Sequence, residues 1–347
     1  MSTNASDRRR VILGLMTLGP DATYGARITS LDDFGKCLNL FQEKGYQEID
    51  TARLYDHGRQ EAFTRQAGWK ERGLSVATKW YPIGAGSHQP EVLETKLNES
   101  LQELGTDSID LFYLHGPDRT TPYADTLQAL DRLHRQGKFK RLGLSNFSAF
   151  EVAEIVTICN ERGWIRPTVY QAVYNAITRS IEDELVPCCR RYGIDIVVFN
   201  PLAGGFFSGK YKSTDLPTEG RFSNQNQLMG QMYRDRYFKS SVFSALELLE
   251  PIVLKHGLTM VEVALRWCIH HSALRVTDGN DGIITGFSSL GQLQNNLSDL
   301  EKGPLPAEVV DALDQAWYLV KADATKFWHG NLEYTYNTQE ALFGKKN

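Results

Sequence analysis

An aspartate, a tyrosine, a lysine and a histidine lie at or just beyond the ends of short apolar runs in the first third of this 347-residue chain. Asp50 closes YQEID, Tyr55 follows in DTARLY, Lys79 lies in LSVATK and His115 ends LFYLH. A tyrosine alone, with a pKa of about 10, is a poor acid at neutral pH. An ammonium within a few ångströms favours its phenolate and lowers that pKa. A carboxylate paired with the lysine keeps it charged and in place. Asp50, Tyr55 and Lys79 therefore read as a tuned general acid, with His115 beside them to orient a carbonyl oxygen. Reducing that carbonyl also needs a hydride, which no side chain supplies. Each residue has a plainer use: Asp50 as a loop cap, Lys79 as its ion-pair partner, His115 as a core histidine. Four matched groups on three successive strand ends favour chemistry. A Schiff base on Lys79 is a second chemistry open to the same residues.

A second stretch, AGGFFSGKY (Ala203 to Tyr211), is one residue short of an ATP-binding P-loop. Gly204, Gly209 and Lys210 are spaced correctly, but Tyr211 stands where a small hydroxyl would bind Mg²⁺. Its glycines let backbone amides approach an anion, and Lys210 adds charge. In GFSSLGQLQNN, Ser289 and Gln292 have capping-box spacing, and a helix amino terminus also favours an anion. No metal site is expected: the sequence has no HxH, HExxH or CxxC, and His270–His271 fall in a helical pattern.

Eight β-branched, apolar runs can supply the framework: VILGL at 11, YQEID at 46, LSVATK at 74, IDLFYL at 109, RLGLS at 141, TVYQAV at 168, IDIVVF at 194 and GIITG at 282. Amphipathic helical patterns separate them. Leu93, Leu97, Leu101 and Leu104 share one helical face, with Pro90 suited to its first turn and Gly105 to its end. Leu127, Leu130 and His134 repeat the spacing, with Gly137 as a stop. Strict alternation means parallel strands joined by right-handed crossovers, and eight such units favour a closed (β/α)8 TIM barrel of the α/β class. The expected division is a flexible tail over 1–10, one barrel over 11–320 and a C-terminal loop or tail over 321–347. The crossover after the seventh strand is about 80 residues long by simple counting and reads as a large binding loop, with the tail laid over the active-site face. Reactive or polar residues sit at strand end after strand end: Asp50 and Tyr55, Lys79, His115, Ser145 and Asn146, Gln171, Asn200, and Ser288. In such a barrel these ends meet on the face that carries active sites.

The formal net charge of −4, with 41% hydrophobic and 23% charged residues, gives no reason to expect nucleic acid or an anionic membrane as partner. No apolar run reads as a signal peptide or membrane span, and five scattered cysteines suit a reducing compartment, so a cytoplasmic protein is the default. A homodimer stays open.

Taken together and in order, GYQEIDTARLY, ATKW, LFYLHGPD, RLGLSNFS, VYQAVYN and FNPLAGG resemble the aldo-keto reductase superfamily, from about Val11 to Leu300. NPLAGG with SGKY, GRF, YRDRY and GFSSLGQLQNN are similar to its aflatoxin-aldehyde and succinic-semialdehyde reductase branch. The resemblance implies reduction of an aldehyde or ketone to an alcohol by NADPH, with Tyr55 as acid, Lys79 and Asp50 as its tuning partners, and His115 orienting substrate. It further implies Ser145, Asn146 and Gln171 at the nicotinamide carboxamide and Phe199 against its ring, beside Asn200 and Leu202. Gly204, Gly205, Gly209, Lys210 and Arg221 then fall to the pyrophosphate, and Gly286, Ser288, Gln292 and Asn296 to the adenosine end. The absence of an arginine near Ser288 departs from the usual NADP pattern. On the substrate side it implies Tyr233, Arg236 and Trp328; a solvated charged helix is the plainer account of YRDRY. The tail has Trp328 and His329 where the branch places an aromatic residue followed by arginine, which points toward a bulkier, more aromatic carbonyl. The superfamily also contains redox-sensing subunits with little turnover, the alternative from a different class.

Overall fold

The structure is a computed structural model, and it describes residues 9–213, 215–218, 220–223, 227–277 and 279–344. Eight strands follow one another in chain order and close into a barrel: β1 (Arg10–Gly14), β2 (Glu48–Asp50), β3 (Ser75–Trp80), β4 (Ile109–Leu114), β5 (Phe139–Ser145), β6 (Pro167–Val173), β7 (Asp195–Phe199) and β8 (Gly282–Thr285). Every expected strand is present, and the described pairings are parallel. The expected tail over 1–10 lies outside the described residues up to Arg8, while Arg10 already opens β1.

By its internal contacts the chain forms two compact units. The second comprises Gln47–Gln171, Glu184–Asp195 and Phe327–Asn347. Its helices, counted along the whole chain after α1 (Leu31–Glu43), are α2 (Gln60–Gln66), α3 (Pro90–Leu104), α4 (Tyr123–Arg135), α5 (Ala149–Arg162) and α6 (Leu185–Tyr192). Pro90 starts α3, whose four leucines at 93, 97, 101 and 104 are all buried, and Gly105 ends it in the left-handed conformation, which a residue without a Cβ adopts freely. In α4, Leu127 and Leu130 are buried and the His134 ring packs against Phe139.

The first unit comprises Met1–Tyr46, Ala172–Asp183 and Ile196–Lys326. Besides α1 it holds α7 (Gln227–Tyr237), α8 (Ser240–Lys255), α9 (Met260–His270), α10 (Leu290–Leu300) and α11 (Ala307–Val320); α12 (Thr338–Phe343) belongs to the second unit's tail. The crossover after β7 is more ordered than its polar sequence suggests, because GRFSNQNQLMGQMYRDRYF contains α7. Polar residues and a mid-helix glycine hid it, and Gly230 is there because its backbone passes so close to Ser223 O that a Cβ would lie 2.1 Å away. Nor is YRDRY a solvated helix: Tyr233, Arg236 and Tyr237 are buried. The two tyrosine rings join Phe206, Tyr211, Phe222, Phe238 and Phe243 in one aromatic cluster with centroids about 5–6 Å apart, such as 4.7 Å for Tyr211–Phe222 and 5.1 Å for Phe206–Phe243. Tyr211, the residue that spoils the ATP reading, belongs to this core.

Among the described residues no helix is long and apolar enough to cross a membrane, and no cluster of three His, Cys, Asp or Glu could hold a metal ion. Gly143 on β5 tests how tightly the second unit is packed, since a Cβ there would lie 2.3 Å from the Tyr113 ring on β4. Gly143→Ala is expected to lower stability by about 1–3 kcal/mol, the usual cost of overpacking, read as a reduced urea midpoint at constant slope.

Candidate active site

Asp50 ends β2 and pairs in register with Ala77, two residues before Lys79 on β3, so both side chains leave the same face of neighbouring strands. Lys79 is fully buried. Its Nζ donates to Asp50 Oδ1 at 2.5 Å, to Thr51 O at 2.6 Å and to Tyr55 Oη at 3.4 Å. Three acceptors match the three hydrogens of an ammonium, so the proton of the pair sits on lysine. Burial opposes the Lys79 charge, but Asp50 and Tyr55 outweigh it and raise its pKa. Burial likewise pushes Asp50 above its usual range against the pull of Lys79 and Gln171. Because the Tyr55 oxygen accepts from Lys79, the phenolic proton is left to be given elsewhere. A Schiff base would require a neutral, reachable amine, and Lys79 is neither.

Tyr55 is placed by a strained turn. The next two residues, Asp56 (φ 48°) and His57 (φ 53°), are both left-handed, a conformation non-glycine side chains resist. Several bonds hold them there. Arg59 Nε donates to Asp56 O at 3.1 Å, and Arg53 Nη2 to Gly58 O at 2.9 Å. Arg53 also pairs with the buried Glu61, which accepts from Thr78 of β3 at 2.6 Å.

His115 follows β4, its amide bonded to Trp80 O at 2.9 Å. Its ring meets Tyr55 and Tyr81 edge-on, with centroids 6.3 and 5.5 Å away, and its buried Nδ1 has no hydrogen-bond partner. Burial, with Lys79 and His329 adding repulsion, drives its pKa well below the usual histidine value. A neutral imidazole thus stands beside a charged ammonium, and it can donate a hydrogen bond without competing for the proton.

Ser145 and Gln171 are neighbours in the β5–β6 register. Gln171 Nε2 donates to Asp50 Oδ2 at 2.8 Å, so the residue assigned to cofactor from sequence also fixes the carboxylate. Asn146 adopts φ 63° and donates to His115 O at 2.8 Å and Ser145 Oγ at 3.0 Å, while its buried Oδ1 has no protein partner. The chain after Phe327 runs over these strand ends. His329 N donates to Asn146 O at 3.0 Å, its Nδ1 lies 3.2 Å from Tyr81 Oη, and Trp328 packs edge-on against Phe327.

In the first unit, Phe199 ends β7 and Asn200 follows with φ 59°. Beyond Leu202, Gly204 and Gly205 are left-handed inside the short 3-10 turn Ala203–Ser208, which Gly209 closes. Gly204 must be glycine twice over, since a Cβ would also lie 2.7 Å from the Tyr233 ring. Lys210 is exposed. Arg221 and Tyr233, assigned from sequence to phosphate and to substrate, bond to each other at 3.1 Å, and Tyr233 donates to Asn200 Oδ1 at 3.2 Å. Arg236 is buried near them and helps to lower the Tyr233 pKa. At α10, Ser289 caps Gln292 N at 3.2 Å, Gln292 accepts from Ser288 N at 2.8 Å, and Asn296 donates to Gly286 O at 3.1 Å.

Sequence reasoning passed over Tyr81, Arg119 and Glu151. Only Glu151 left a signal, because Ser148 and Glu151 form an S-x-x-E capping box that the structure confirms.

Comparison with known proteins gives a match of the aldo/keto reductase family profile to residues 10–318. An aldo-keto reductase of Pseudocercospora fijiensis (strain CIRAD86) is 44% identical over 297 residues, covering 84% of this chain and 99% of that protein. Human aldo-keto reductase family 7 member A3 is 42% identical over 334 residues, covering 92% and 97%. Human aflatoxin B1 aldehyde reductase member 2 is 40% identical over 339 residues, covering 94% and 92%.

Two histidines set a pH dependence. His88, in the loop after β3, is pushed down to about 4 by burial against the pull of Asp118, and His115 is lowered as well. Below the unfolded histidine pKa of about 6.5 the unfolded chain binds protons that the folded one refuses. Their contribution is therefore complete above that pH and is lost as pH falls toward 4. Urea unfolding between pH 7.5 and 4.5 is expected to show this decline, and His88→Gln to flatten part of it.

Proposed function

The chain belongs to the aldo/keto reductase family of oxidoreductases, and we propose that it reduces an aldehyde or ketone to an alcohol with NADPH as cofactor. The observation that carries the reading is the buried Lys79 ammonium, shared between Asp50 and the Tyr55 oxygen beside a neutral His115. NADPH, when bound, supplies the hydride to the carbonyl carbon. The chain's own part is to hold the carbonyl oxygen with His115 and to give it the Tyr55 proton. Lys79 stabilises the phenolate left behind, and Asp50, fixed in turn by Gln171, keeps Lys79 charged.

The residues fit the cofactor. The unpartnered, buried Oδ1 of Asn146 suits the amide hydrogens of a carboxamide, with Ser145 and Gln171 next to it. The left-handed glycines at 204, 205 and 209 suit an anion, as does the exposed Lys210, and we assign them to the pyrophosphate together with Arg221. Phe199, Asn200 and Leu202 are assigned to the nicotinamide side of that turn, and Gly286, Ser288, Gln292 and Asn296 at the start of α10 to the adenosine end. The substrate residues are His115 and Trp328, with Tyr233 and Arg236 serving through the order they give the turn at Gly204. His329, after the aromatic Trp328, in place of an arginine favours an uncharged aromatic carbonyl over a carboxylate-bearing one.

Tyr55→Phe is expected to keep NADPH binding, followed by tryptophan fluorescence, and to lose about 10²–10⁴-fold in turnover at 340 nm. Full turnover in that variant would overturn the assignment of the acid. Nitrobenzaldehyde is expected to exceed succinic semialdehyde in kcat/KM, and the reverse order would move the substrate reading back to carboxylates.

A further inference from the structure

The mechanism makes no use of a buried ion pair that grips the C-terminal chain. Glu151, fully buried at the first turn of α5, accepts six hydrogen bonds. Its Oε1 takes Arg119 Nε at 2.7 Å, Tyr123 Oη at 2.6 Å and Tyr334 Oη at 2.8 Å. Its Oε2 takes Arg119 Nη2 at 3.0 Å and the Ser148 amide and hydroxyl at 2.8 Å each. Capping α5 needs only the last two. The others bring in Arg119 from the loop after β4, Tyr123 from α4 and Tyr334 from the tail.

Arg119 turns the pair into a grip. While two of its nitrogens hold Glu151, its Nη1 donates to His329 O at 2.7 Å and its own carbonyl accepts from Thr335 N at 3.2 Å. Gly330 passes so close that a Cβ would lie 3.0 Å from Nη1. The tail is thus held at 329, 330, 334 and 335, on both sides of its own loop. The held residue His329 reaches Tyr81, whose ring meets His115. Burial opposes the Glu151 charge, but Arg119 and Tyr123 outweigh it and keep its carboxyl below the usual range, so the grip stays ionised at neutral pH.

We propose that Arg119 and Glu151 are positioning residues: a clamp that fixes the chain after Phe327 and so sets, through His329 and Tyr81, which carbonyl compounds fit beside His115. The clamp rests on the proposed reductase activity. A large aromatic carbonyl that needs the tail as a wall depends on it, whereas a small aliphatic aldehyde that needs only Tyr55 and His115 does not.

The test uses the full chain with NADPH, nitrobenzaldehyde and propionaldehyde, and the variants Arg119→Lys, Tyr334→Phe and Ser148→Ala. Losing a hydrogen bond to a buried charge weakens an interaction by about tenfold or more, so Arg119→Lys and Tyr334→Phe should raise KM for nitrobenzaldehyde by about that factor. KM for propionaldehyde and the NADPH Kd should stay unchanged, while amide exchange across 328–336 accelerates. Ser148→Ala should lower Tm and leave the ratio of the two KM values alone, because it removes the helix cap and not the tail contact. Faster exchange with an unchanged KM ratio would overturn the clamp, as would an equal fall in kcat for both aldehydes. Should Arg119→Lys not fold, Tyr334→Phe carries the test from the tail side, where the residue as a whole is only half-buried. A wild-type chain that oxidises NADPH with neither aldehyde would sink the reductase reading; an active one with an unshifted ratio sinks the clamp alone.

Discussion

A charged amine with no access to water governs this architecture. Lys79 is buried, and an unpaired ammonium there would neutralise or unfold its surroundings. Every hydrogen it carries therefore has a fixed acceptor: a carboxylate from the preceding strand, a backbone carbonyl one residue on, and a phenol four residues further. The strand register that brings Asp50 opposite Ala77 is in this sense an electrostatic requirement as much as a packing one. Gln171 meets the second carboxylate oxygen, so β2, β3 and β6 are tied through a single charge pair.

Around that pair the second unit arranges neutral and charged groups without letting them exchange roles. His115 is kept neutral by burial and by the same ammonium that stays charged. The two states support each other: a protonated imidazole would repel Lys79, and a neutral lysine would lose its hold on Tyr55. The first unit uses a different means to order its loop. Its aromatic rings pack beneath consecutive left-handed glycines, and hydrogen bonds run from Arg221 through Tyr233 to Asn200. Apolar burial there supplies the rigidity that ionic contacts supply in the second unit.

The sequence disclosed the framework well because its signals are local. Eight β-branched runs, the leucine spacing of α3 and the Pro90–Gly105 boundaries depend on neighbours within a few residues, and the structure reproduces them. The four central residues were legible because they fall at strand ends and match chemically. Helix α7 was hidden, since a glycine interrupts it and the charged residues at 234, 235 and 236 lie between the buried Tyr233 and Tyr237. The bond of Gln171 to Asp50 and the four donors that Arg119, Tyr123 and Tyr334 aim at Glu151 were out of reach for another reason. Their partners lie 121 and up to 183 residues away, and no periodicity records a contact of that separation.

The left-handed pair at Asp56 and His57 bears on how this protein can change. Each such residue raises the energy of the folded chain, so the turn beside Tyr55 is a place where added stability is easy to find. A glycine at 56 would also remove a buried carboxylate that pairs with Arg59, but one at the exposed position 57 would relax the backbone and would look beneficial in a screen scored by melting temperature. It would also free the segment that fixes the direction of the phenol. Under the proposed mechanism, selection for robustness and selection for turnover therefore pull against each other at this turn, and stabilisation gained elsewhere in the barrel escapes that conflict.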